Sequence, residues 1–177
     1  MIGVVDVTDQ ETHYVVNVEF HDKAARRGYH FQDHNKYSMA SLGEQGIVYA
    51  APSQDGQPST VYYRPYDSWA SQADWTRQLL QGEDALCVAA GGAVGDGMGS
   101  VIVATSKGYV RFFSSSGIQR YLWRIGEDAV TMVAGKEMVF IVHREGGTSL
   151  DGTLTVMTDR VGLMFQAAKI CATQSWT

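Results

Sequence analysis

The sequence predicts an all-β fold, a partial β-propeller of about three four-stranded blades led by an N-terminal closing strand. Three observations carry that prediction. Short segments of alternating large and small side chains follow one another along the chain, separated by glycine, proline and serine. Segments in the same position of successive units recur at a nearly constant offset. The first segment of each unit is small and apolar, whereas later segments carry the aromatic residues.

Tyr14, Val16, Val18 and Phe20 alternate with polar or smaller neighbours and mark the leading strand; a polar stretch from His21 to Lys36 follows. The first unit reads "SMASL" from Ser38, then "GIVYAAP", "TVYYRP" and "DWTRQLL" from Asp74, with Gly43, Gly46, Pro52, Gly56 and Pro58 between the segments. The second unit reads "ALCVAA", a loop, "VIVATS", "YVRFFS" and "IQRYLWRI". The third reads "AVTMVA", "MVFIVH" and "TLTVM". First segments begin at Ser38, Ala85 and Ala129, which are 47 and 44 residues apart; third segments begin at Thr60, Tyr109 and Thr153, 49 and 44 apart. Such a period is that of a propeller blade, whose inner strands crowd an axis while outer strands pack blade on blade. Tyr109, Phe112, Tyr121 and Trp123 are the expected inter-blade aromatics of the second unit. An antiparallel sandwich would explain the alternation but not an offset shared by two different strands. Residues 1–13 are expected to be an N-terminal extension, 14–158 the partial propeller and 159–177 an unassigned tail.

Composition narrows the function classes. Of the 177 residues 45% are hydrophobic and 19% charged, enough for one domain with a core. The net charge of -5 argues against a nucleic-acid surface, and the densest basic spot, Lys23, Arg26 and Arg27, reads as a small solvated patch. No apolar run approaches the ~20 residues that cross a bilayer, and the acidic "MIGVVDVTDQE" is no secretory signal. Cys87 and Cys171 match no metal spacing and read as buried thiols of an intracellular, soluble protein.

No catalytic, cofactor-binding or metal residue is expected. "HFQDH" sets His30 and His34 four apart with Asp33 between and His21 nearby, but lacks the glutamate and helix of a zinc-protease motif. "GGAVGDGMGS", Gly91 to Ser100, is rich enough in glycine for a phosphate cradle, yet a strand follows it where a helix is needed. Ser114, Ser115 and Ser116 precede Gly117 without a nucleophile-elbow setting, and His143 and Asp151 are too loosely placed to orient a serine. Glu83-Asp84 and Glu127-Asp128 each precede a first strand and read as a repeated turn. "YYRPYDSWASQADW", Tyr62 to Trp75, could offer a stacking platform for single-stranded nucleic acid, but the adjacent Asp67 and Asp74 favour packing at a blade edge.

At "VNVEFHD", "GYHFQDHNKYSMASLGEQGIVYA", "VYYRPYDSWASQADW" and "VIVATSKGYVRFFSSSGIQRYLWRI" the chain resembles a known family, in order from about Val15 to Asp151. The resemblance is to the SepB-like middle propeller of the minichromosome loss protein, the fungal counterpart of the acidic nucleoplasmic DNA-binding protein. It rests on "FHD", "YRP-x-D-x-W" and "TS-x-x-Y-V-R" in combination, with "EGGTSLDG" where the family has a glycine-rich hairpin. The resemblance implies a six-bladed ring between an N-terminal WD-repeat propeller and a C-terminal helical bundle. It implies a non-enzymatic, nuclear, chromatin-associated adaptor, without cofactor, membrane or small-molecule substrate. That adaptor forms homotrimers, tethers the replicative helicase to DNA polymerase alpha-primase and supports sister-chromatid cohesion. The family continues into three further blades after Asp151, whereas "RVGLMFQAAKICATQSWT" matches nothing in it, so a piece of a longer protein is expected. Two alternatives stay open: a propeller-type metal-dependent hydrolase using His21, His30, Asp33 and His34, and an unrelated peptide-binding propeller.

Overall fold

The segment Gly46–Ala51 shows how this chain builds sheets. All six of its residues are buried, so it cannot be a strand with one wet face. Because side chains alternate across a strand, Ile47, Tyr49 and Ala51 enter one core and Val48 and Ala50 another. The chain is a row of sheets stacked face to face. The computed structural model describes residues 2–66, 74–91, 101–126, 128–135, 138–144, 152–158 and 166–170, the last two segments as strand backbone. Among them every regular element is a β-strand.

An N-terminal sheet holds β1 (Gly3–Asp9), β2 (Tyr14–Phe20) and β3 (Tyr29–Asp33), each antiparallel to the next. Blade 1 holds β4 (Met39–Leu42), β5 (Gly46–Ala51), β6 (Thr60–Pro65) and β7 (Trp75–Gln78). Blade 2 holds β8 (Ala85–Ala90), β9 (Val101–Thr105), β10 (Tyr109–Phe113) and β11 (Gln119–Arg124). Blade 3 holds β12 (Ala129–Ala134), β13 (Met138–Arg144), β14 (Gly152–Thr158) and β15 (Gln166–Ile170). Each blade is an antiparallel meander in sequence order.

The partial propeller is therefore present, with two additions at its ends. The expected closing strand, β2, sits in a sheet of its own: β1 arises within the expected extension and β3 within the polar stretch. The fourth strand of blade 3, β15, arises within the expected tail. In chain order the N-terminal sheet matches the second, third and fourth strands of a blade, since β3 leads into inner strand β4 as β7 leads into β8 and β11 into β12.

Three apolar cores alternate with the sheets. Val16, Val18 and Phe20 meet Ile47, Tyr49 and Ala51 between the N-terminal sheet and blade 1. Val48, Val61, Tyr63 and Trp75 meet Val88, Val101, Val103 and Phe113 between blades 1 and 2. Ile102, Ala104, Val110 and Phe112 meet Ala129, Val139 and Ile141 between blades 2 and 3. Of the four expected aromatics, Phe112 is buried in that last core and Trp123 packs against it, whereas Tyr121 touches Phe112 edge-on and is 53% exposed. Tyr109 lies beneath the Arg111 guanidinium, 5.9 Å from ring centre to Cζ.

The inner strands β4, β8 and β12 lie against one another in turn. The residue after each is glycine, and the backbones need it. A Cβ on Gly43 would fall 2.8 Å from the Ala90 Cβ, and one on Gly91 would fall 2.5 Å from the Ala134 Cβ. At the third of the series, Gly135, a Cβ would meet nothing among the described residues closer than the Met138 carbonyl oxygen at 3.8 Å.

Candidate functional site

Each reactive side chain singled out in the sequence that falls among the described residues has a structural occupation or stands apart. Asp33 is 2% exposed and accepts the Asn35 and Tyr37 backbone N–H groups, at 2.9 and 2.6 Å, through its two carboxylate oxygens. His30 lies in a strand and His34 in the turn after it, with the His34 ring 5.5 Å from that of His13. Among the described residues no three His, Cys, Asp or Glu side chains form a metal-holding group, so the histidines and Asp33 of the hydrolase alternative do not converge.

Ser114, Ser115, Ser116 and Gly117 form the β10–β11 turn. The Gly117 N–H donates to the Ser114 carbonyl and the Ile118 N–H to the Ser114 Oγ, at 2.9 and 3.1 Å. The turn also joins blades: the Trp75 indole N–H donates to the Ser115 carbonyl and the Arg77 Nε to the Gly117 carbonyl, at 2.9 and 3.0 Å. His143 lies on β13, its Nδ1 2.9 Å from the Arg144 carbonyl oxygen. Asp151, Cys171, Glu127, Asp67, Trp69 and all of the glycine loop beyond Gly91 lie outside the described residues. Burial pushes the Cys87 thiol up to about 11, which leaves it protonated and unreactive near neutrality.

Among the described residues of the nucleic-acid platform, Tyr62 and Trp75 do not share a face. Tyr62 faces the N-terminal sheet, stacked on Tyr37 and Tyr49, while Trp75 faces blade 2 against Phe113. One strand register places the two rings on opposite sides of the same sheet.

The turn reading of Glu83-Asp84 holds for Asp84, whose carboxylate accepts the Ser53 N–H at 2.7 Å and is held below the usual range by hydrogen bonding from the Ser53 side chain and backbone. Glu83 is different. It is 2% exposed and accepts a two-pronged hydrogen bond from Arg111, Nε to Oε1 at 2.9 Å and Nη2 to Oε2 at 2.6 Å. Arg111 Nη1 also donates to the Gln119 amide oxygen at 2.8 Å. Burial alone would raise the Glu83 carboxyl, but the two hydrogen bonds from Arg111 and the charges of Arg111 and Lys107 bring it below its ordinary value. This pair spans blade 2 from the loop before β8 to the middle of β10. Its one sequence signal is an arginine inside the otherwise apolar "YVRFF".

What remains is surface. Lys23, Arg26 and Arg27 line one side of a cleft of about 300 Å³ at the start of β3. Arg26 donates to the Glu44 carbonyl at 2.6 Å and lies 4.8 Å over the Tyr66 ring. A second cleft, of about 260 Å³, opens at the other end of β3 between Phe31, Tyr37, Tyr62 and Arg64. Arg64 rests 3.9 Å above the Tyr29 ring. These features suit recognition of another macromolecule.

The sequence is also similar to known proteins. Residues 1–173 match the family model described as minichromosome loss protein, Mcl1, middle region. Minichromosome loss protein 1 of Schizosaccharomyces pombe is 30% identical over 154 residues, 86% of this chain and 18% of that protein. WD repeat and HMG-box DNA-binding protein 1 of Homo sapiens is 30% identical over 153 residues, 85% of this chain and 13% of that protein. The DNA polymerase alpha-binding protein of Saccharomyces cerevisiae is 33% identical over 144 residues, 80% of this chain and 14% of that protein. The chain thus spans less than a fifth of each of these relatives. With residues 1–173 of its 177 inside the family match, this chain belongs to the minichromosome loss protein Mcl1 middle-region family.

Proposed function

We propose that this chain is part of the middle propeller of a nuclear replication-fork adaptor, and that it works by binding rather than by catalysis. The adaptor joins the replicative helicase to DNA polymerase alpha-primase and supports sister-chromatid cohesion, as a homotrimer on chromatin. The observation that carries this reading is the likeness to a relative named for binding DNA polymerase alpha, found on a chain whose buried charges serve packing. A second relative is named for DNA binding, which supports a place on chromatin.

In this reading the third blade does not end the ring. Val133 and Met138 on its far face are 61% and 45% exposed, and a further blade covers them. The free edge of β1 takes an inner strand from the far end of the same ring, which completes the N-terminal sheet as a fourth-strand partner. Affinity capture of the tagged full-length gene product from S-phase cells checks the proposal. It should recover subunits of both polymerase alpha-primase and the helicase; recovery of neither contradicts it.

A further inference from the structure

Among the described residues β3 is paired on one side only, by β2. Its other edge faces outward from the row of sheets, and half of its N–H and C=O groups point that way. Both clefts described above open on this strand. The first, at Gly28, Tyr29 and His30, is walled by Lys23, Arg26 and Arg27. The second runs from Phe31 and Asp33 across to Thr76 of β7, over the Tyr37 and Tyr62 rings, with Arg64 at its side. An unpaired edge, an aromatic hollow and a cluster of cations therefore lie along a single strand.

The charge on this edge opposes that of the whole chain. Nearby carboxylates are largely spoken for: Asp33 holds two backbone N–H groups, Asp22 caps those of Ala24 and Ala25, and Asp74 accepts the Tyr62 hydroxyl. Lys23 reaches Glu19 at 4.0 Å with both side chains mostly exposed, a pair too solvated to hold the lysine. Arg26 and Arg64 stand over tyrosine rings, 4.8 and 3.9 Å from Cζ to ring centre, which restrains their heads before any ligand arrives and lowers the entropy lost on binding. A larger cleft of about 500 Å³ at Ser53 to Gly82 has no aromatic ring and one charged residue, Asp55. A phosphate backbone would want a continuous basic track, and Glu19 and Asp74 interrupt this one.

We propose that the outer edge of β3 is a docking site for an extended acidic segment of a partner protein. The segment adds as a strand beside β3, sets alternate acidic side chains against Arg27 and Arg64, and seats an apolar side chain over Tyr37 and Tyr62. This deepens the adaptor reading by naming a partner surface, and rests on that reading only for its biological purpose.

The test uses the 177-residue chain and a fluorescein-labelled peptide alternating glutamate with valine and phenylalanine, read by anisotropy. The same peptide with lysine in place of glutamate is the control. The glutamate peptide should bind, the lysine peptide should not, and Arg64→Gln and Arg27→Glu should each weaken binding about tenfold. Amide shifts in nitrogen-proton spectra should centre on residues 29–33. Arg27 is exposed, so Arg27→Glu keeps the fold even if Arg64→Gln loosens Tyr29. Equal binding of the two peptides, unchanged affinity in Arg27→Glu, or shifts confined to blade 3 would overturn the proposal. So would displacement of the peptide by a single-stranded oligonucleotide of higher affinity, which would assign the edge to nucleic acid. Because the peptide is read on this chain alone and the affinity capture on the full gene product, either can fail while the other succeeds.

Discussion

Blades 2 and 3 are built from the same four-strand meander, yet the described side chains of blade 2 are buried on both faces and those of blade 3 on one. In blade 2, Val101 and Val103 enter the core shared with blade 1, while Ile102 and Ala104 enter the core shared with blade 3. In blade 3, Val139 and Ile141 are buried against blade 2, whereas Val133 and Met138 on the opposite face lie open. The strand pattern alone does not distinguish them, since both alternate with apolar residues on each side. A propeller strand is apolar on both faces because each blade is a layer between two others. Blade 3 carries that two-sided composition with one neighbour described.

The largest contrast should come from core truncation. Phe112→Ala removes a ring that is 1% exposed and should cost about 3–5 kcal/mol in denaturant unfolding, whereas Val133→Ala should stay within about 0.5 kcal/mol. Similar costs for the two would mean that blade 3 is covered as fully as blade 2.

Blade 2 is also locked internally, and breaking that lock has a pH signature. Arg111→Leu leaves the Glu83 carboxylate buried without its partner and should cost about 3 kcal/mol at neutral pH. In the native chain the Glu83 carboxyl lies below its unfolded value. Its contribution is therefore full above the ordinary carboxylate range and is lost as pH falls through the lowered value. In Arg111→Leu burial acts without the compensating guanidinium, so the sign reverses and stability falls as pH rises through the now raised value. Unfolding followed from acid to neutral pH separates the two, and parallel curves would remove the pair from this account.

The open face of blade 3 should make the chain self-associate. Val133→Glu places a charge at its centre and should shift sedimentation toward monomer at micromolar concentration. A native chain that is already monomeric would show that the face is satisfied.

The blade count and the small inner strands were legible because the repeat spacing survives changes in loop length. The N-terminal sheet was less so. In β3 the residues "YHFQD" serve an outer edge, where one side meets water, so they read as part of a polar stretch from His21 to Lys36 rather than as a strand. In β1, Val4 and Val7 are 39% and 49% exposed, too weak an apolar signal to lift "GVVDVTD" out of an acidic extension. Tyr121 was expected inside with Phe112 and Trp123 because it shares their face, but edge-strand position leaves it half-exposed. The Glu83–Arg111 pair joins residues 28 apart in sequence, and no local pattern reports a contact at that range. The clefts beside β3 draw on the 21–28 loop and on two sheets at once, so only the folded chain assembles them.

The inner-strand glycines test the stacking of successive blades most directly. Equilibrium unfolding should show Gly91→Ala destabilised by about 1–3 kcal/mol, because the new methyl group would overlap Ala134 of the next blade. Gly135→Ala, at the same place one blade later, should change stability by no more than about 1 kcal/mol, since its methyl group would meet the Met138 carbonyl oxygen only at ordinary contact distance. Equal losses at both glycines, or a neutral Gly91→Ala, would contradict the face-to-face row of blades on which the whole account depends.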